Sequence, residues 1–412
     1  MLNSKGEREL CYVVTVDEIR PIPNYDRVEH ARVGGWWVIV QKGQFNVGDP
    51  AIYFEIDSKV PSDKECFAFL EKRNYKVKTL RMCKVISQGL LMHASDFGWK
   101  ALPSVLGVDG TDAEACIVDG KGERHYVNDE SRFLTKELGV TYADAEDNQR
   151  KAPSADKYKK MAQRHPSIFK KSWARWLMRR EWGRKLMFVF FGKKKDKKSG
   201  WPSWVSKTDE ERIQNMPWIL KDEDSWIATE KIDGSSTTFT MRRERRKKEF
   251  YVCSRNVCFD SIDKPCYYDT NIYWEMAQKY NMYDVLSDIL DHFPEIEWVT
   301  VQGETYGEGV QKRDYSIKGH DFKAFNLITS NKGRWNSCAM QNLLEHIYHV
   351  PCVPIIDSNF YFNGMNVDQI LEYAEGNSKI DGKAREGIVF RSEDGTQSFK
   401  AVSNSFLLKY HG

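Results

Sequence analysis

The pentad Glu230-Lys231-Ile232-Asp233-Gly234 falls where a predicted strand gives way to a turn. A lysine there can present its amine to a pocket, Asp233 can orient that amine or a metal-bound water, and Gly234 can let the backbone approach a ligand. The signal is weak alone. Lys-x-Asp-Gly arises by chance in about one chain in ten of this length, and a surface β-turn with a paired lysine is its commoner meaning. Three further polar elements change the balance. Glu304 follows a predicted strand within the run 303–309, Glu386 opens another strand, and Lys400 lies in a third, beside Ser398 and Phe399. Each singly is an edge charge or a turn residue. Together they supply a nucleophile, carboxylates for hydroxyl or metal contacts, and a cation for phosphate, the inventory of phosphoryl or nucleotidyl transfer. The glycines at 303, 307 and 309 make no P-loop, because the downstream Gly-Lys-Ser/Thr ending is missing.

These residues need strands to hold them. Periodicity over 201–412 predicts an α+β domain with mainly antiparallel sheets. Strands are expected at 226–230, 236–240, 250–253, 296–302, 321–329, 387–391 and 398–402. Helices are expected at 272–292, stopped by Pro294, at 338–346, and at 367–375, ended by Gly376. Thr208 with Glu211 three residues on has the form of a capping box and predicts a short helix through Gln214. Residues 11–95 read instead as short strands: 13–16, 34–40, 51–56, and 84–92 interrupted near Gly89. A small OB-like barrel is a natural way to close them, and another compact β domain fits periodicity nearly as well. Residues 96–150 give no clear pattern.

The 412 residues exceed one ordinary domain, and 41% apolar with 29% charged residues suits globular cores. The expected division is a front domain over 1–150, a linker over 151–200 and a chemical domain over 201–412. A net charge of +3 announces no polyanionic partner. Its distribution does: residues 151–200 hold 17 Lys or Arg against three acids, a local net of +14. A helix over 171–185 bearing Trp173, Trp176 and Trp182, then the apolar run 186–191, allows a tether tracking phosphates, a linker docked on a domain, or a membrane-surface anchor. Nine cysteines without a CxxC pair give weak support for structural zinc and fit a reducing compartment, cytoplasmic or nuclear, with an organellar address open. The longest apolar run is far short of the roughly 20 residues needed to span a bilayer, so no transmembrane segment is expected.

In this order and spacing the elements resemble the covalent nucleotidyltransferases: ATP-dependent DNA ligases, RNA ligases and mRNA capping enzymes. Motif I looks like Lys231-Ile232-Asp233-Gly234 and the region after it like Ser254-Arg255-Asn256. Motif III looks like Gly303-Glu304, motif IIIa like Asp321 to Asn326, motif IV like Glu386 to Phe390, and motif V like Ser398-Phe399-Lys400. The likeness spans nearly all of 208–409. Within the group it is nearest to RNA ligases that place an OB-like domain ahead of an adenylyltransferase domain, an ATP-grasp-like ligase fold. The stretches 46–61, 207–212 and 398–409 carry that narrower resemblance, and the few residues after motif V leave no room for a downstream OB domain. One departure stands out: relatives carry a second lysine two residues into motif V, where this chain has Val402, and either Lys409 substitutes or it faces outward.

The resemblance implies ATP as AMP donor and Lys231 as nucleophile, its ammonium form disfavoured by Lys400 and a divalent ion. Mg2+ or Mn2+ would be held by Asp233 and Glu386. Glu304 would accept from the ribose, Arg255 would hold a phosphate, and Glu230 would help recognise adenine or position motif I. Phe322 would be the adenine platform with Phe325 in the core, or the reverse if the strand faces the other way. The expected substrate is an RNA or RNA-containing duplex with 3'-hydroxyl and 5'-phosphate ends, clamped by the front domain, and the expected state is a monomer. Alternatives are an ATP-dependent DNA ligase, a capping-type guanylyltransferase, or an RNA-binding tether with weak transferase activity.

Overall fold

The structure, a computed structural model, describes residues 1–5, 7–104, 114–142, 171, 174, 177, 201–245, 247–264, 266, 268 and 270–411. The readings for the basic segment 151–200 therefore lie outside the described residues. The front of the chain forms β1 (Cys11–Thr15), β2 (Glu18–Ile22), β3 (Tyr25–Val33), β4 (Trp36–Gln41), β5 (Pro50–Phe54), β6 (Ser58–Lys59), β7 (Thr79–Met82), β8 (Val85–Gln88) and β9 (Leu90–Met92). β1, β5 and β9 pair antiparallel, as do β2, β3 and β4, and the β7–β8 hairpin touches β4. Every residue of β5 is buried, because its two faces serve different cores. Ala51 and Tyr53 point to Val38, Trp36 and Leu91 inside the barrel, while Ile52 and Phe54 point outward.

The outer face is covered by the stretch that periodicity left unread. There β10 (Lys100–Leu102), β11 (Cys116–Val118) and β12 (Arg124–Tyr126) form a small antiparallel sheet, and Ile117, Leu134, Leu138 and Val140 pack on Val13, Ile52 and Phe54. Each strand is only three residues long, too short for an alternation to show. β13 (Thr141–Tyr142) then pairs with β6.

The second part of the chain has two sheets. One contains β14 (Glu211–Arg212), β15 (Trp226–Lys231), β22 (Ile355–Phe360), β23 (Gly387–Ser392) and β24 (Ser398–Val402), in the order β14-β24-β23-β15-β22, with only β14 and β24 parallel. The other, wholly antiparallel, contains β16 (Ser235–Glu244), β17 (Lys247–Ser254), β18 (Cys258–Phe259), β19 (Trp298–Gly307), β20 (His320–Thr329) and β21 (Gly333–Arg334). Helices α1 (Ile272–Lys279) and α2 (Met282–His292) bury Ile272, Met276, Leu286 and Ile289 against this larger sheet. α3 (Ser337–Gln341) runs on into a wider turn to Ile347, and α4 (Val367–Ala374) covers the smaller sheet. The single helix expected over 272–292 is two, because Asn281 adopts a left-handed φ of 47° between them.

The helix expected after Thr208 is absent. Residues 207–210 run without regular structure into β14, and Thr208 Oγ1 bonds Ser236 Oγ at 2.7 Å. The neighbouring acids have distant partners that an isolated helical turn could not satisfy: Asp209 pairs with Arg255, and Glu210 with Arg391 at 3.2 Å. The same segment joins the barrel to the two sheets of the second part. Gly35 N donates to Gln214 O at 2.9 Å, and a Cβ at Gly35 would lie 2.4 Å from Gln214 Cα. Asn215 accepts from Trp36 Nε1 at 2.7 Å and donates to Glu55 and Glu211 at 2.7 and 2.8 Å. Val402 and Leu407 complete the barrel's inner core from the other side. No helix among the described residues is long and apolar enough to cross a membrane.

Candidate active site

The strand-to-strand passage from β15 to β16 carries the chain from one sheet to the other, and Lys231 stands at its start. Lys231 lies opposite Gly387, so Glu386, one residue before β23, comes beside it. Lys231 Nζ donates to Glu386 Oε1 at 2.6 Å, and 24% of the lysine side chain stays exposed, toward the cavity. Glu304 enters from β19, where it pairs with Ser236 and Lys323. The close approach is possible because residue 234 lacks a side chain: a Cβ there would lie 2.4 Å from Thr305 O and 2.8 Å from Glu304 Cγ. The bare backbone of Gly234 thus lets β16 start hard against β19 in the same sheet, and the residue also lines the cleft, where the sequence suggested room for a ligand. Asp233, buried, donates its backbone N–H to Tyr315 Oη at 2.7 Å.

These groups line one cleft of about 1650 Å³ between the two sheets and the barrel. Glu230, Lys231, Asp233, Gly234, Arg255, Glu304, Glu386 and Lys400 all reach its wall, as do Arg8, Asp57, Lys76, Lys78 and Tyr142 from the front of the chain. Phe322 does not. Its ring is fully buried against Phe239, over Gly303, whose Cβ would sit 2.3 Å from the ring. Phe325 lines the cleft instead, packed beside Ile232 and Val353, so the two aromatics exchange the places expected of them. Glu230 faces the cleft but its carboxylate is held by Ser378 Oγ and by Lys379 N at 2.8 Å, which leaves it a positioning group for the 378–379 turn. Lys409 is exposed beside the Tyr410 ring and contributes nothing to the wall, while Val402 is buried.

The cations near motif V come from elsewhere. Burial first, then repulsion from Arg8 and Arg212, brings the Lys400 amine down to about 7, with Asp209 opposing and Lys231 adding to the repulsion. Arg391 projects from β23 toward Phe325, its guanidinium carbon 5.8 Å from the ring centre. Arg8 and Arg391 escaped sequence reasoning. Arg391 carried one signal, a charge in alternation with Gly387 and Val389 on a buried strand.

The Lys231 amine behaves differently from expectation. Burial disfavours its charge, but attraction to Glu386, then Glu304 and Asp233, outweighs burial and holds its pKa above the ordinary lysine value. Lys400 is the depressed amine; Lys231 is an ammonium locked among carboxylates. Glu304 is pushed up to about 8, by burial and by repulsion from Glu386 and Asp233 against the pull of Lys231. Glu386 Oε2 is buried with no hydrogen-bond partner. A carboxyl whose charge is disfavoured by burial and by its acidic neighbours, and an orphaned carboxylate oxygen beside Asp233, fit a hard divalent cation, whose oxygen ligands they match.

A family model described as RNA ligase matches residues 224–411, and one described as an OB-fold domain matches residues 10–94. Among solved structures, the chain is similar to the Naegleria gruberi RNA ligase with PPi, at 26% identity and a TM-score of 0.67 over 97% of this chain and 98% of that one. A point mutant of that ligase with ATP and Mn gives 26% identity and 0.69 over 98% and 100%, and another with AMP and Mn gives 25% and 0.69 over 98% and 99%. No curated protein gives a significant sequence match. Residues 224–411, which carry the two sheets behind the cleft, thus match the RNA ligase family, and an OB-fold match stands ahead of them.

Proposed function

We propose that this ligase uses ATP to join RNA 3'-hydroxyl and 5'-phosphate ends at breaks in a duplex, through a Lys231-AMP adduct and an RNA-adenylate. The observation that carries the reading is the placement of Lys231 Nζ at the cleft wall, 2.6 Å from Glu386 and backed by Glu304 and Lys400. ATP, AMP and Mn in the Naegleria structures support the nucleotide and metal class. A divalent cation held by Asp233 and Glu386 would compete for the carboxylates that now grip the ammonium and would neutralise phosphate charge.

Once deprotonated, Lys231 Nζ attacks the α-phosphorus, the bond to pyrophosphate breaks, and a phosphoramidate remains. Lys400, Arg8 and Arg212 stand where they would draw charge from the triphosphate. An oxygen of the RNA 5'-phosphate then attacks the AMP phosphorus, the N–P bond breaks, and Lys231 recovers its proton. Finally the 3'-hydroxyl attacks the activated 5'-phosphate, loses its proton, and AMP departs. Arg255, now paired with Asp209, is free to exchange that partner for a phosphate by virtue of its forked donors. The barrel cations Arg8, Lys76 and Lys78 on the same wall favour a substrate clamped from the front, with the basic 151–200 segment adding affinity for the backbone.

Phe325, with Ile232 and Val353, is the adenine-stacking candidate. Phe325→Ala should weaken ATP binding by about 1–3 kcal/mol with unchanged melting, whereas Phe322→Ala should cost about 3–5 kcal/mol of stability. Calorimetric titration and thermal melting of both variants check this; the opposite pattern would return the platform to Phe322. The substrate is tested with nicked duplexes that differ only in the two residues bearing the 3'-hydroxyl. Sealing that depends on terminal ribonucleotides is expected, and equal sealing of all-DNA nicks would make the enzyme a DNA ligase by preference.

A further inference from the structure

Behind the wall of the nucleotide cleft and outside its lining, the extension that covers the barrel brings Asp119, His125 and Glu137 together, with one donor atom of each lying within 4.8 Å of the others. His125 is 6% exposed and stacks on Trp99 at 5.9 Å between ring centres. Its Nδ1 lies 2.7 Å from Ser131 O. A carbonyl only accepts, so Nδ1 carries a proton, which leaves Nε2 as the nitrogen whose lone pair a metal ion would take. That Nε2 is buried, has no hydrogen-bond partner, and faces Asp119 Oδ2 at 3.8 Å and Glu137 Oε2 at 3.6 Å.

Both separations are too long for N–H···O bonds, which run about 2.7–3.2 Å. They approach the separation of two donors bound at about 2.1 Å to one cation with tetrahedral or wider angles. Asp119 Oδ1 is already occupied by the N–H groups of Lys121 at 2.9 Å and Glu123 at 2.8 Å, which turns Oδ2 inward. The histidine is oriented through its far nitrogen by a carbonyl, the usual arrangement behind a metal-bound imidazole.

We propose that Asp119, His125 and Glu137 form a structural site for a divalent first-row metal ion, best suited to Zn2+. One imidazole and two carboxylates match Zn2+ with a fourth position for water, and imidazole favours it over Mg2+. The ion would tie the loop after β11, β12 and the 134–138 turn into one unit. Thr135 in that turn accepts from the N–H groups of Leu10 and Cys11 at 2.8 and 3.1 Å, and Thr135 and Lys136 line the nucleotide cleft. The metal would therefore brace one wall of the cleft without touching the chemistry.

The test uses the full-length protein, stripped with chelator and dialysed against Zn2+ or Co2+ at neutral pH. Wild type should retain one more equivalent of Zn2+ by elemental analysis than either His125→Gln or Glu137→Gln, and its melting temperature should rise with Zn2+ where theirs does not. Co2+ should give visible ligand-field bands in wild type that both variants lose. Glu137 is partly exposed, so its variant keeps the test readable if His125→Gln fails to fold. Equal metal content in wild type and a folded Glu137→Gln variant overturns the proposal. So does a nitrogen NMR signal showing His125 as an imidazolium that excess Zn2+ leaves unchanged, since the trio would then be an ion pair.

Discussion

Lys231→Ala is expected to remove the AMP adduct entirely, with labelling from [α-32P]ATP falling by about a thousandfold or more. The alanine variant should fold, because Lys231 lies at a cleft wall and its loss leaves Glu386 beside solvent. Lys231→Arg should be as inactive, since a guanidinium holds its proton through the accessible pH range and cannot become the nucleophile. A folded alanine variant that still accumulates label at the parental rate would move the nucleophile elsewhere. Mass mapping of the wild-type adduct to another lysine would do the same.

Lys400→Met should lower the rate of adduct formation by about 10²–10³-fold at saturating ATP, the scale on which a preorganised charge aimed at a reacting group acts. The methionine keeps much of the volume and removes the charge. Because burial first, and then repulsion from Arg8 and Arg212, bring the Lys400 amine down to about 7, the same residue gives the free enzyme a pH dependence. The polyphosphate prefers the protonated form. ATP affinity in wild type should therefore be highest below pH 7 and fall as pH rises through 7 and above, while Lys400→Met should bind more weakly and lose that slope. Titration calorimetry from pH 6 to 9 reads both effects, and a parallel slope in wild type and variant would assign the titration to another group. For folding, the sign is opposite: the unfolded chain holds the Lys400 proton up to its ordinary value, so this residue alone makes stability rise from about pH 7 toward 10.

The strands that bear or border Lys231, Glu304, Glu386 and Lys400 were legible because each is a run of at least five residues with an apolar pattern; Lys231 ends its strand, Glu386 just precedes one, Glu304 lies in the last half of its strand and Lys400 sits at the centre of its own. What could not be read was partnership across the chain. Phe322 and Phe325 are three apart on one strand, and nothing local says which phase of the pleat faces the cleft. The choice is made by the bare backbone of Gly303 beneath Phe322 and by an irregularity in the β19–β20 pairing between Gln302 and Gly303. The acidic run at 209–211 imitates a helix start because such residues favour one, yet its charges are consumed by Arg255, Arg391 and Asn215. Arg8 was invisible for a related reason. It sits more than 200 residues from the lysine whose cleft it shares, and no periodicity reports that distance.

The contact between Gly35 and the turn at Gln214 has a mechanical meaning. Main chain meets main chain there, with no side chain interposed, so rotamer changes nearby cannot act as a shim that alters the fit. The gap between the barrel's cations and the Lys231 amine is in this sense a gauge cut into the polypeptide itself, and a polyanion laid across the mouth meets an opening whose width is set before it arrives.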